Sequence, residues 1–275
     1  MISSNKSRTI SILQSIVLRL PQILSPLVSI IAALIFGALL MKLFGSDPIE
    51  AYSALLRGSF GSQFAISNTI SKSIPLVFTG LTVAIGFKAG MFNIGAEGQL
   101  VIGAVVAAWI GQIVGIPSWI HIPLVVVVSS LGGVIWALPP AIFKIKTGAH
   151  EVITTLMMSF IAGHLAELVL REFLRDPFSS SGASKAINAT AELPTIGSFA
   201  PFLPKVISDI NIGVILALVA SIAVWILIRK TWLGYEIRVV GQNPAAAESH
   251  GISTGRVVML ALLAGGALSG MAGGV

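Results

Sequence analysis

Apolar residues fall into seven long blocks, about 23–44, 74–87, 100–114, 122–143, 152–170, 212–228 and 257–275, separated by stretches that hold most of the charges. A helix crossing a hydrocarbon core about 30 Å thick needs about 20 apolar residues, whereas barrel strands would show alternating segments of about ten. Hydrocarbon offers backbone groups no partner, so such blocks must satisfy their own hydrogen bonds as helices. The pattern predicts an all-α, polytopic integral membrane bundle: one transmembrane domain over 23–275 with about seven spans, behind an N-terminal segment 1–22. The block 74–87 is the exception, because 14 residues reach only about 21 Å. It leads directly into MFNIGAEGQL, where Gly86, Gly90, Gly95 and Gly98 loosen the backbone. A discontinuous second transmembrane element is expected here, a broken or re-entrant pair of half-helices of the kind tolerated at membrane depth only inside protein or beside a watery cavity. The last block, LALLAGGALSGMAGGV, ends without a flanking charge and reads as a span cut short.

Composition sharpens this picture. The 275 residues are 55% hydrophobic and only 10% charged, against about 25% charged in an ordinary soluble domain. No cysteine is present, which excludes a disulfide framework, a thiol nucleophile and a cysteine-ligated metal. The basic start of the chain, with Lys6, Arg8 and Arg19, precedes an apolar run without a small-residue cleavage site, so it reads as a retained first span and not a removed signal. With the N-terminus in the cytoplasm and sides alternating, ten basic and four acidic residues fall inside, and seven of each outside. The whole +6 excess is then cytoplasmic, as the positive-inside rule expects. The charges are loop charges rather than a clustered basic face, which excludes a nucleic-acid surface.

Several polar positions carry candidate chemistry. Glu97, between Gly95 and Gly98, either lines a solute path or caps the helix whose first turn it occupies. Glu151, Thr155, Ser159, Gly163 and Glu167 recur at every fourth position and form one ridge facing protein or water, as a helix contact or as pore lining. His164 and Glu167 are spaced to pair, and Gly266, Gly270 and Gly274 form overlapping GxxxG patterns suited to close helix packing. In GYEIRVVGQNPAAAESHGIS, Asn243 is a good N-cap, Pro244 suits the first helical position, 245–250 propagate a helix and Gly251 suits a left-handed stop. Such a helix is only about 10 Å long and needs a surface to pack on. Ala245, Ala246 and Ala247 present small side chains suited to a partner's groove. No Gly-Lys dipeptide of a phosphate-binding loop, no H-E-x-x-H and no G-x-S-x-G occurs, and His121, His150, His164 and His250 lack metal-ligand spacing. Neither a metal nor a cofactor is expected.

FNIGAEGQL, GAHEVITTLMMSFIA and the loop containing Asn243 together resemble the permease subunit of bacterial ABC importers for nucleosides and simple sugars, a group related to the ribose-type and branched-chain-amino-acid-type permeases. The resemblance runs from about residue 48 to the last, with departures from the usual pattern at His150 and Ser159. It implies a coupling helix in the cytoplasmic loop 229–256, on Gly241, Asn243, Pro244, Ala246, Ala247 and Gly251, docking on a cytoplasmic ATP-binding-cassette ATPase. It also places Asn93, Glu97 and Gln99 near the translocation path, to which the ridge adds Glu151, Thr155 and Ser159. The partners implied are that ATPase, a second permease subunit and an extracytoplasmic solute-binding lipoprotein. ATP hydrolysis would then belong to the partner, and the chain would lie in the lipid bilayer of the bacterial plasma membrane. The extracytoplasmic loop 171–210, with Pro177, Pro194, Pro201 and Pro204, suits a platform for the binding protein or a passive connector, and the Asn188-Ala189-Thr190 glycosylation pattern has no meaning in a bacterial protein. Two other classes stay open: an ion- or proton-coupled carrier using Glu97, Glu151 and Glu167, and a non-transporting membrane scaffold.

Overall fold

The computed structural model describes residues 24–177, 183–200 and 202–275; the expected segment 1–22 and Pro201 lie outside the described residues. The described helices belong to two compact units, divided after Ala65. In the first, α1 (Leu24–Leu43) is an apolar helix of 20 residues and α2 (Pro48–Phe60) an amphipathic one of 13. Asp47 starts α2 by accepting hydrogen bonds from the amides of Ile49 and Glu50, with Pro48 at the first helical position. The Tyr52 hydroxyl donates to the Leu34 carbonyl at 2.6 Å and so fixes α2 to α1. No long apolar block announced α2.

The second unit contains α3 (Gln63–Lys88) from Ile66 onward, α4 (Ala96–Gly111), α5 (Ser118–Thr147), α6 (Glu151–Val169), the single turn α7 (Lys205–Ser208), α8 (Gly213–Lys230), α9 (Trp232–Gln242), α10 (Pro244–Ser249) and α11 (Thr254–Gly274). Helix α6 continues into a wider turn at Leu170–Leu174. Among the described residues, six helices are long and apolar enough to cross a membrane, and α4 is a shorter apolar seventh. Strand-like pairing there is limited to two isolated bridges, Arg175 with Ser184 and Thr195 with Asn211.

One expectation changes. The short block 74–87 is the second half of a 26-residue helix, about 39 Å long. Its first half is too polar to read as a span, yet its hydroxyls have partners: Ser73 donates to the Ile70 carbonyl at 2.6 Å and Ser67 to Val206 at 2.8 Å. Pro75 is accommodated inside the helix, and Thr79 donates to its carbonyl. The shortfall in length belongs instead to α4, whose 16 residues reach about 24 Å. The interruption is the non-helical stretch 89–95 between the two.

In the second unit the long helices α3, α4, α5, α6, α8 and α11 run in alternate directions. Lys144, near the end of α5, pairs with Glu151 at the start of α6 at 2.7 Å, and Ile145 lies against Gly255 at the start of α11. The end of α3 touches the end of α9, so Lys88, Lys144, Lys146, Arg229, Lys230 and Arg256 gather at one end of the bundle, here the basic end.

At the centre α4, α5 and α11 cross with almost no side chain between them. A Cβ added to Gly103 of α4 would lie 2.6 Å from the Gly270 Cα of α11, and one added to Gly270 would lie 2.8 Å from the Gly133 Cα of α5. Gly266 faces Gly133 in the same way. Around this seam Thr82 donates to the Gly265 carbonyl at 2.8 Å and accepts from Ser269 at 2.9 Å, Ser130 donates to Ala267 at 3.0 Å, and the Trp136 indole donates to Met158 at 3.1 Å. Between spans this close contact and these bonds replace the hydrophobic drive that lipid removes. Gly270→Leu should therefore destabilise the bundle by about 2 kcal/mol or more, seen as a lower unfolding midpoint and a smaller monodisperse fraction in detergent. Gly80→Leu, at a position with nothing near it, should leave both unchanged.

Candidate functional site

The short polar helix at the basic end forms as its residues dictate. Asn243 is extended, and its Oδ1 accepts the Ala246 amide at 3.0 Å; Pro244 fills the first position. The helix ends with Gly251 at φ +79°, where the Gly251 amide donates to Glu248 and the Ile252 amide to Ala247, closing the left-handed stop that glycine permits. Ala247 is fully buried against Ile237, Val240 and Val257, so this alanine anchors α10 to its own chain and is not part of an outward face. Asn243, Pro244, Ala245 and Glu248 are exposed, and Ala246 half-buried.

Helix α9, which no apolar block announced, carries α10. Thr231 caps it by accepting the Gly234 amide at 3.1 Å, and it buries Gly234, Ile237 and Val240. Its last turn meets the end of α3: a Cβ on Gly241 would strike the Lys88 carbonyl oxygen and lie 2.9 Å from the Gly90 nitrogen, and one on Gly90 would lie 3.0 Å from the Gly241 Cα. Gly90, at φ +74°, closes α3 with the same left-handed stop, its amide donating to Phe87 and that of Met91 to Gly86. The α10 assembly is thus in backbone contact with the start of the 89–95 interruption.

That interruption turns back into the bundle. Asn93 is buried, its Oδ1 accepting the Gly95 amide at 3.0 Å, and its side chain reaches the space beside Gly265, about 16 Å along α11 from Thr254. Gly95 lies against Thr155, and Gly98 against the Ser159 backbone, its amide donating to the Ser159 hydroxyl at 3.3 Å. The inner half of the α6 ridge therefore packs on the start of α4, with Thr155 buried and Ser159 half-buried. Glu151, at the ridge's end, is held by Lys144. Gln99 is 1% exposed, and its Oε1 has no hydrogen-bond partner among the described residues. Glu97 occupies the first turn of α4, where a negative charge suits the helix dipole, and it faces outward. His164 and Glu167 form no ion pair; with Arg171 and Glu172 they line a cavity of about 230 Å³ at the far end of α6.

A second fastening, at the end opposite the basic one, was not foreseen. His121, fully buried at the start of α5, lies 2.9 Å from the Ile110 carbonyl through Nε2 and 2.8 Å from the Thr190 hydroxyl through Nδ1. A carbonyl only accepts, so Nε2 carries a proton toward Ile110, while Nδ1 meets the Thr190 hydroxyl, which also donates to Asn188 Oδ1 at 3.2 Å. The Asn188 amide donates to Gly111 at 2.7 Å, and its Oδ1 accepts the Thr190 amide at 3.2 Å. The residues of the Asn188-Ala189-Thr190 triplet thus tie loop 171–210 to the α4–α5 turn; the triplet was the only sequence signal.

A polytopic bundle with an interrupted central helix and a docking-sized helix beside that interruption describes a membrane transport component. Residues 65–275 match the family described as branched-chain amino acid transport system / permease component. The chain is 37% identical over 257 residues to the guanosine ABC transporter permease protein NupP of Bacillus subtilis, covering 93% of this chain and 72% of that protein. It is 34% identical over 256 residues to the nucleoside ABC transporter permease protein NupB of Lactococcus lactis, covering 92% and 70%. With the glucose ABC transporter permease protein TsgB13 of Haloferax volcanii it shares 32% over 251 residues, covering 90% and 66%. No solved structure matches. The chain belongs to this permease family and is a multi-pass membrane protein.

The cap on α10 is a measurable part of this arrangement. Asn243→Ala should remove about 1 kcal/mol from that helix, raising hydrogen exchange at the Ala246 to Ser249 amides about fivefold, while Asn243→Asp should keep the protection.

Proposed function

We propose that this chain is a transmembrane subunit of an ATP-driven importer of nucleosides or simple sugars. In this reading it lies in the bacterial plasma membrane with the basic end and the N-terminus in the cytoplasm. Its partners are a cytoplasmic ATP-binding-cassette ATPase, a second permease subunit and an extracytoplasmic solute-binding lipoprotein. The nucleoside and sugar permeases among its relatives support the solute class. The charge asymmetry supports the orientation.

One observation carries the coupling role: α10, capped at both ends, follows directly on α9, whose Gly241 is in backbone contact with Gly90 at the start of the 89–95 stretch that leads to α4. The outer face, on Asn243, Pro244 and Ala246, docks in the ATPase, with Gly251 setting the exit angle. Ala247 and Gly241 act from the inner side, one seating α10 and the other passing its displacement to 89–95. That displacement moves Asn93 and Gln99 and reorients Glu97, and so changes access to the solute path along α4. Thr155 and Ser159 guide the start of α4, and Glu151 holds α6 to α5 through Lys144. Because Glu151 is engaged in this way, the proton-coupled alternative loses one of its three carboxylates.

Ala246→Glu puts a charge on the docking face, and Gly251→Pro forbids the left-handed exit. With the ATPase, the second permease subunit and the lipoprotein co-expressed, each should reduce guanosine uptake at least tenfold while membrane insertion is unchanged. Normal uptake by either variant would exclude the lever role.

A further inference from the structure

Helix α8 presents one stripe to the outside: Ile215, Leu218, Ile222 and Trp225 are all exposed and recur at helical spacing. The same face ends in Arg229 and Lys230, both exposed in the last turn. An exposed apolar stripe on a helix long and apolar enough to cross a membrane suits hydrocarbon, and cations at its end suit the depth where hydrocarbon gives way to headgroups. Two aromatic rings stand with them. Trp225 is 54% exposed and has the Lys230 ammonium 6.0 Å from its ring centre, and Trp232 is 61% exposed with the Arg256 guanidinium 5.3 Å from its own.

None of Arg229, Lys230 and Arg256 has a carboxylate within ion-pair reach among the described residues, and all three are exposed. By contrast, Lys144 at the same end is neutralised by Glu151. Three uncompensated cations, two of them resting on indoles, adjoin a lipid-facing stripe. Indoles favour the headgroup level, and guanidinium groups bind phosphate through paired donors.

We propose that Trp225, Arg229, Lys230, Trp232 and Arg256 form a binding site for the phosphate headgroup of an anionic phospholipid at the basic end of α8. The occupant is a lipid rather than a soluble anion because the site continues the exposed apolar stripe of a membrane-spanning helix. The inference is independent of what the chain transports and of α10.

The test uses the full chain with Trp109→Phe and Trp119→Phe, which leaves Trp136, Trp225 and Trp232 as reporters, in vesicles of phosphatidylcholine and phosphatidylglycerol. Fluorescence quenching by brominated phosphatidylglycerol, relative to brominated phosphatidylcholine, reads the local lipid. A single cation at an anionic surface contributes about fivefold to association. The parent should therefore show a severalfold preference for phosphatidylglycerol, unaffected by excess inorganic phosphate. The Arg229→Gln/Lys230→Gln/Arg256→Gln variant should lose that preference while remaining monodisperse, and Arg229→Lys/Arg256→Lys should retain most of it. Equal quenching by both lipids in the parent, or an unchanged preference in the triple glutamine variant, overturns the site. Abolition by inorganic phosphate would make it a soluble-anion site and likewise overturn the proposal. Loss of the cytoplasmic ATPase from the purified triple variant, with no lipid preference in the parent, would make the patch a protein contact and also overturn it.

Discussion

The bundle depends on bringing three backbones together where hydrocarbon gives helices no hydrophobic reason to associate. Gly103, Gly133, Gly266 and Gly270 let α4, α5 and α11 approach until main-chain atoms touch. Dispersion falls off steeply with a gap, so this intimacy is what makes the crossing favourable. Everything functional hangs from it. The central position of α4 places its first turn inside the protein, and the polar groups of α3 and α6 then have somewhere to go: Thr82 to Gly265 and Ser159 to Gly98.

The transmembrane pattern was legible because greasy blocks of helical length have one physical interpretation. Asn243, Pro244 and Gly251 were equally plain, since local capping chemistry does not wait for tertiary structure. What escaped were elements whose stability comes from packing. Helix α9 has too few consecutive apolar residues to register, and it holds because Ile237 and Val240 are covered by α11 residues such as Val257 and Leu262. The first half of α3 was hidden by polar residues such as Ser67 and Ser73, whose polarity is cancelled by hydrogen bonds that a one-dimensional pattern does not display. His121 read as an unremarkable histidine because both its partners are distant or main-chain atoms.

Within the candidate site, the residues of one motif divide by direction. Ala246 and Ala247 are neighbours of the same type, yet one is half-buried and the other sealed, a distinction that only the placement of α10 on α9 creates. Similarly, Glu97 points away from the protein while Gly98 and Gln99 beside it are buried. Composition indicated that this segment was unusual; the helix phase decided which of its groups meets a neighbour.

Gly234 has a mechanical consequence. A Cβ there would strike the Leu227 and Ile228 carbonyls, so the elbow between α8 and α9 is a weld of bare backbone, as is the contact of Gly241 with the end of α3. Helix α8 meets the rest of the core differently, through side chains such as Ile74, Phe78 and Met271 around Ala217. Contacts of that sort can slide by changing rotamers, whereas welded ones cannot. The elbow and the seat of α9 on the end of α3 therefore keep a fixed spacing, and a shift of α8 reaches Gly90 and the seven non-helical residues 89–95 undamped.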